Sequence, residues 1–95
     1  MGPQQRTVYQ KAINAFGVDN QLFQLDEEMA ELIKAVNKWR RNQRPGNEAF
    51  VADVAEEIAD VEIMLDQLKI MLDIADNEIE DWKYRKIKRL SRNIP

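Results

Sequence analysis

The sequence predicts an all-α fold: a helical bundle built on a long antiparallel helical hairpin and completed by oligomerisation. Two stretches place apolar residues at alternating spacings of three and four, as a helix with one buried stripe requires. The breaker Arg44-Pro45-Gly46 separates them, and no stretch shows the period of two that marks a half-buried strand. Ninety-five residues fit one domain, 1–95, with so modest a core of its own that burial against another copy is expected.

Thr7 to Phe16 is expected to form a first helix with Val8, Ala12, Ile13 and Phe16 on one side, ended by Gly17. Asp19 is placed to cap the second helix, which runs to about Asn42. Its seam is Leu22, Leu25, Met29, Leu32, Val36 and Trp39. Asn47 is placed to cap the third, reaching about Leu72 with the seam Val54, Ile58, Val61, Leu65, Leu68 and Leu72. A fourth helix is expected from near Asp76 to about Arg92.

Within the two long helices, Glu28 and Glu31 form one i,i+3 pair of carboxylates, and Glu57 and Asp60 form another. At about 100° per residue, each pair lies roughly 60° and 120° to the same side of its seam. The short connection makes the helices antiparallel neighbours, related by a twofold axis, so equal offsets of equal hand fall on one flank. At about 1.5 Å of rise per residue, the pairs lie roughly 19 and 17 Å below the loop. Four hard oxygen donors at one level suit Mg²⁺ or Mn²⁺ and repel one another without a cation. Solvated acidic faces are the competing reading, since the chain holds seventeen acidic residues.

Composition removes many alternatives. With no cysteine there is no disulfide framework or thiolate site, and with no histidine there is no His-based triad or zinc site. The chemistry must therefore use carboxylates, lysine, arginine, hydroxyls or amides. No apolar run approaches the roughly 20 residues that span a bilayer, and the start lacks a secretory signal's apolar core. A cytoplasmic protein without a membrane partner is expected. A net charge of −3 argues against a polyanion partner, and the basic run Lys83 to Arg92 is too short to make nucleic acid one.

The stretches DEEMAELIKAVNKW and VAEEIADVEIMLDQLK resemble the paired motif of the MazG-like, all-α nucleoside triphosphate pyrophosphohydrolases, and DWKYRKIKRLSR resembles their basic final helix. The resemblance spans about Asp19 to Arg92. It implies Mg²⁺ held by Glu-x-x-Glu on one helix and Glu-x-x-Asp on the next. It further implies cleavage of a (deoxy)nucleoside triphosphate between the α and β phosphates, and a homodimer or a tetramer made of dimers. Glu31, Glu57 and Asp60 then serve chiefly as metal ligands. Glu28 is either the fourth ligand or the base that orients the attacking water, and exchanging it with Glu57 as base is equally defensible.

On the fourth helix, Lys83 and Lys86 fall inside the apolar stripe of Ile79, Trp82, Ile87 and Leu90. They either snorkel from a packed stem or, as the resemblance favours, offset charge on the β and γ phosphates. Lys38, beyond Glu31 on roughly its side, either contacts substrate or is a solvated lysine. The rival to an enzyme is a non-catalytic helical interaction module with an acidic flank.

Overall fold

A computed structural model describes all 95 residues, Met1–Pro95. It is 84% helical and has no strand. Helix α1 covers Pro3–Phe16, α2 Val18–Arg41, α3 Glu48–Met71 and α4 Asp76–Asn93. No helix is long and apolar enough to cross a membrane.

Helix α1 begins four residues before Thr7, where the apolar pattern starts. Pro3 stands at N1, where its fixed φ suits a helix and its missing N–H costs nothing, and Gln5 Oε1 accepts the Gly2 N–H at 2.8 Å. Gly17 ends α1 and its N–H donates to Ile13 O at 2.9 Å. Its φ of 90° is a glycine conformation, and a Cβ there would meet no atom within 4 Å, so the requirement is torsional and not steric. Gly17 also occupies the N-cap position of α2. Asp19 is therefore not the cap but lies in the first turn, where its carboxylate faces the positive end of the helix dipole. Asn47 does hold the N-cap position of α3, yet its side chain makes no capping bond; its carbonyl accepts from Phe50 at 3.0 Å instead.

Helices α2 and α3, 24 residues each, share the chain's most extensive helix contact, and α1 packs across both. Gln21 and Gln67 meet through a buried 2.7 Å hydrogen bond. Further along, Glu28 meets Glu57 and Asp60. Nearer the 42–47 connection, Lys38 and Asp53 line one groove.

The contact is not centred on the apolar seams. Leu25, Ala35, Val61 and Met64 are buried, but so are Gln21 and Gln67, and Glu28, Glu57 and Asp60 are half-buried. Meanwhile Leu22, Met29, Ile58 and Leu65, assigned to the seams, are exposed, as are Ile33 and Val51. Projected at about 100° per residue, the packed face of each helix is turned roughly 60° from its apolar stripe toward its carboxylates. One flank of the pair is acidic and the other apolar.

Only 7 of 95 residues are buried, and the radius of gyration is 16.4 Å where a compact chain of this length has about 12 Å. Helix α4 accounts for part of this, since every residue from Glu80 to Pro95 is exposed. It is tied down at its first turn. Asp76 Oδ2 accepts from the Met1 ammonium at 2.7 Å, and Asp76 Oδ1 accepts from Lys69 at 2.9 Å, while Lys69 also pairs with Asp66 at 2.9 Å.

Those bonds, first from the ammonium and then from Lys69, hold the Asp76 pKa down to about 2. A depressed pKa contributes stability that is present above the unfolded carboxylate value and lost as pH falls through about 2. Asp76→Asn is therefore expected to lower the thermal midpoint between pH 5 and 7, with the gap to the parent closing toward pH 2, as calorimetry across that range will show.

Candidate metal centre

Glu28 on α2 and Glu57 and Asp60 on α3 each offer a carboxylate oxygen, and these oxygens lie within 4.8 Å of one another. Glu57 Oε2 is shielded from solvent and has no hydrogen-bond partner. Desolvation raises its pKa, and the charges of Asp60, Glu28, Glu31 and Glu56 push it further the same way. A carboxylate oxygen buried without a donor beside two others is costly as an apo arrangement. It is the donor set a hard divalent cation would complete, so the residues present fit Mg²⁺ or Mn²⁺.

Glu28 is oriented from its own helix, where Gln24 Nε2, one turn earlier, donates to Glu28 Oε1 at 2.7 Å. Glu31 is not within the converging trio. It lines an adjoining groove of about 120 Å³ with Lys34, Ala35, Lys38, Asp53 and Glu57, so Glu57 belongs to both. Lys38 is thus beside the carboxylates, and Lys34, which the sequence reading passed over, joins it. Its signal was present: it stands three residues after Glu31 and four before Lys38, on neighbouring helical positions. Neither lysine forms an ion pair within 4.0 Å; those that form are at Asp66, Asp76 and Glu80.

Lys83 and Lys86 are not brought to the trio or the groove. Both are exposed on α4, and Lys83 lies 3.5 Å from Glu80. Within one chain there is no interior beneath them to snorkel from. Trp82 is likewise exposed, with the Arg85 guanidinium 5.1 Å from its ring centroid.

A raised folded pKa adds stability that is fully present below the unfolded value and lost as pH rises through the folded one. In EDTA, Glu57→Gln is therefore expected to be more stable than the parent at pH 7, with the difference shrinking on acidification through the raised Glu57 value. Added Mg²⁺ should raise the parent's unfolding free energy by about 2.7 kcal/mol at a hundred times its dissociation constant, and Glu57→Gln should gain little. Urea titrations with and without Mg²⁺ measure both effects.

No family model, curated protein or solved structure matches the chain.

Proposed function

We propose that the chain is an Mg²⁺-dependent, MazG-like nucleoside triphosphate pyrophosphohydrolase, converting a (deoxy)nucleoside triphosphate to its monophosphate and pyrophosphate. One observation carries the reading: three carboxylates from α2 and α3 converge around the solvent-shielded, unpartnered Glu57 Oε2, beside a groove that also holds two lysines without ion pairs. The motif resemblance supplies the reaction class.

A triphosphate carries up to four negative charges, so an acidic flank can accept it only with compensation. Bound Mg²⁺ supplies charge neutralisation at the phosphates and lowers the pKa of an attacking water. Glu28, Glu57 and Asp60 hold the ion, with Gln24 fixing the Glu28 carboxylate. Glu31 either swings in as a fourth ligand or holds the water from the groove. Lys34 and Lys38 offset charge on the phosphates being released.

The reading includes assembly. We take α2 and α3 as an antiparallel hairpin whose apolar flank packs on another copy, giving a dimer or a tetramer. Burying a Leu, Ile, Val or Met there contributes about 1.5–3 kcal/mol each before the costs of association. Lys83 and Lys86 enter through this assembly, reaching a phosphate when α4, unpacked in its own chain, docks on a neighbour. The same exposed flank favours a second reading, a non-catalytic helical oligomerisation module.

A pyrophosphate-release assay over ribo- and deoxynucleoside triphosphates with Mg²⁺ separates the two. Activity is expected in the parent, with losses of at least about 10²-fold in Glu31→Gln and Asp60→Asn. Equal rates in all three would sink the site assignment, and no release from any nucleotide by an assembled protein would favour the module. Mg²⁺ affinity then resolves Glu31: a weakened affinity in Glu31→Gln makes it a ligand, and a loss confined to turnover makes it the residue that holds water.

Sedimentation is expected to give a dimer or larger, shifted to monomer by Leu65→Glu on the apolar flank. A monomeric parent would remove the assembly.

A further inference from the structure

One turn before the carboxylates, α2 borders a second pocket, about 490 Å³, lined by Phe16, Asn20, Gln21, Phe23, Gln24 and Glu27. The left-handed torsion at Gly17 turns the chain between α1 and α2, so Phe16 at the end of one helix and Phe23 in the second turn of the other border one space. Both rings are more than 60% exposed. A pair of solvent-facing aromatic rings beside polar groups is the kind of surface on which a nucleobase stacks.

The polar groups narrow the ligand. Asn20 Nδ2 donates to Phe16 O at 2.7 Å, and Gln24 Nε2 donates to Glu28 Oε1 at 2.7 Å. A carbonyl and a carboxylate only accept, so chemistry dictates that the NH2 end of each amide is the one engaged. Asn20 Oδ1 and Gln24 Oε1 accept no hydrogen bond within the chain, and Glu27 makes neither a hydrogen bond nor an ion pair. Each of these amides keeps a second N–H, but the two amide oxygens together with the two Glu27 carboxylate oxygens outnumber those donors, so the pocket is weighted toward acceptors, which pair with a base that donates. Gln24 also joins this pocket to the metal trio, because the same side chain holds Glu28.

We propose that the Phe16–Phe23 pocket is the base subsite of the enzyme and selects bases bearing an exocyclic amino group, cytosine, adenine or guanine, over uracil and thymine. The two N–H bonds of the amino group donate to two of the acceptors on Asn20, Gln24 and Glu27 while the base stacks on Phe23. This inference rests on the proposed nucleotide chemistry but makes its own demands on residues outside the metal trio.

Equilibrium binding tests it without turnover. Calorimetry with Mg²⁺ would compare cytidine, adenosine and uridine monophosphates, with inorganic tripolyphosphate as a ligand that has no base. Parent protein is expected to bind the cytidine or adenosine compound about tenfold tighter than the uridine compound, on the scale of a few hydrogen bonds left unmade. Phe23→Ala should weaken the preferred nucleotide about tenfold and leave tripolyphosphate unchanged. Asn20→Leu should narrow the preference. Because both side chains are exposed, circular dichroism should show intact folds.

Equal or tighter binding of the uridine compound would overturn the amino-base assignment, and unchanged nucleotide affinity in Phe23→Ala would overturn the subsite. If nucleotides still bound and Asp60→Asn abolished that binding, the metal reading would survive such a result. Parent protein that bound neither tripolyphosphate nor any nucleotide with Mg²⁺ would overturn both. A change of sedimentation in Phe23→Ala with no change in nucleotide affinity would reassign the rings to an interface between copies.

Discussion

The rotation of α2 and α3 about their own axes sets the rest of the structure. Two helices with apolar stripes would ordinarily pack stripe to stripe, since that removes the most hydrocarbon from water. Here the packed faces are turned toward Glu28, Glu57 and Asp60, and a buried Gln21–Gln67 bond replaces what could have been apolar contact. Half-burying carboxylates near one another is unfavourable twice, through desolvation and through repulsion. Both effects are visible in the raised pKa of Glu57. A bound cation reverses the sign of the arrangement, because the desolvated oxygens then become ligands.

The same rotation explains the exposed apolar flank. Turning the carboxylates inward turns Leu22, Met29, Ile58 and Leu65 outward, so the acidic site and the unpartnered surface are two consequences of one geometry. Seven buried residues and no fully buried large side chain make a thin core for 95 residues. On the proposed reading, assembly restores the missing hydrocarbon burial and the metal restores the missing charge balance. Removing either would strain the same helix pair.

Much of the secondary structure was legible in the sequence. Gly17 ended α1 as expected, and the ends of α2, α3 and α4 fell within about two residues of the pattern-based bounds, the usual scatter of helix termini. The start of α1 was missed because Pro3 to Arg6 is polar, and a Pro at N1 with a reciprocal Gln5 bond leaves no mark in an apolar pattern. The seams were read as the packed faces because a single sequence does not say how many partners a stripe serves. In a chain with apolar surface left outside its own core, the stripe and the intrachain contact need not coincide. Angular offset from the seam does not decide which carboxylates converge: Glu31 and Asp60 both lie roughly 120° off their seams, yet Asp60 joins the trio and Glu31 lines the groove. The Phe16–Phe23 pocket was invisible because its rings come from two helices joined at a glycine whose torsion cannot be read from spacing.

Along α2 the polar residues form an ordered series. Asn20, Gln24, Glu27, Glu31, Lys34 and Lys38 fall within roughly 80° of helix circumference at about 100° per residue, and together extend about 27 Å at 1.5 Å per residue. Amides and aromatic rings stand at the α1 end, carboxylates in the middle and lysines toward the 42–47 connection. A nucleoside triphosphate has the matching order, with an uncharged base at one end and its highest charge density at the other. On the proposed reading, the ligand's direction follows from this order. Reversing it would place the terminal phosphates beside the Glu27 carboxylate and the unengaged amide oxygens, with only the second N–H of the Asn20 and Gln24 amides to donate to them, and would leave Lys34 and Lys38 facing a neutral base. Like-charge repulsion at one end and unused cations at the other both disfavour that pose. One helix face can thus set binding direction without any contact specific to the sugar.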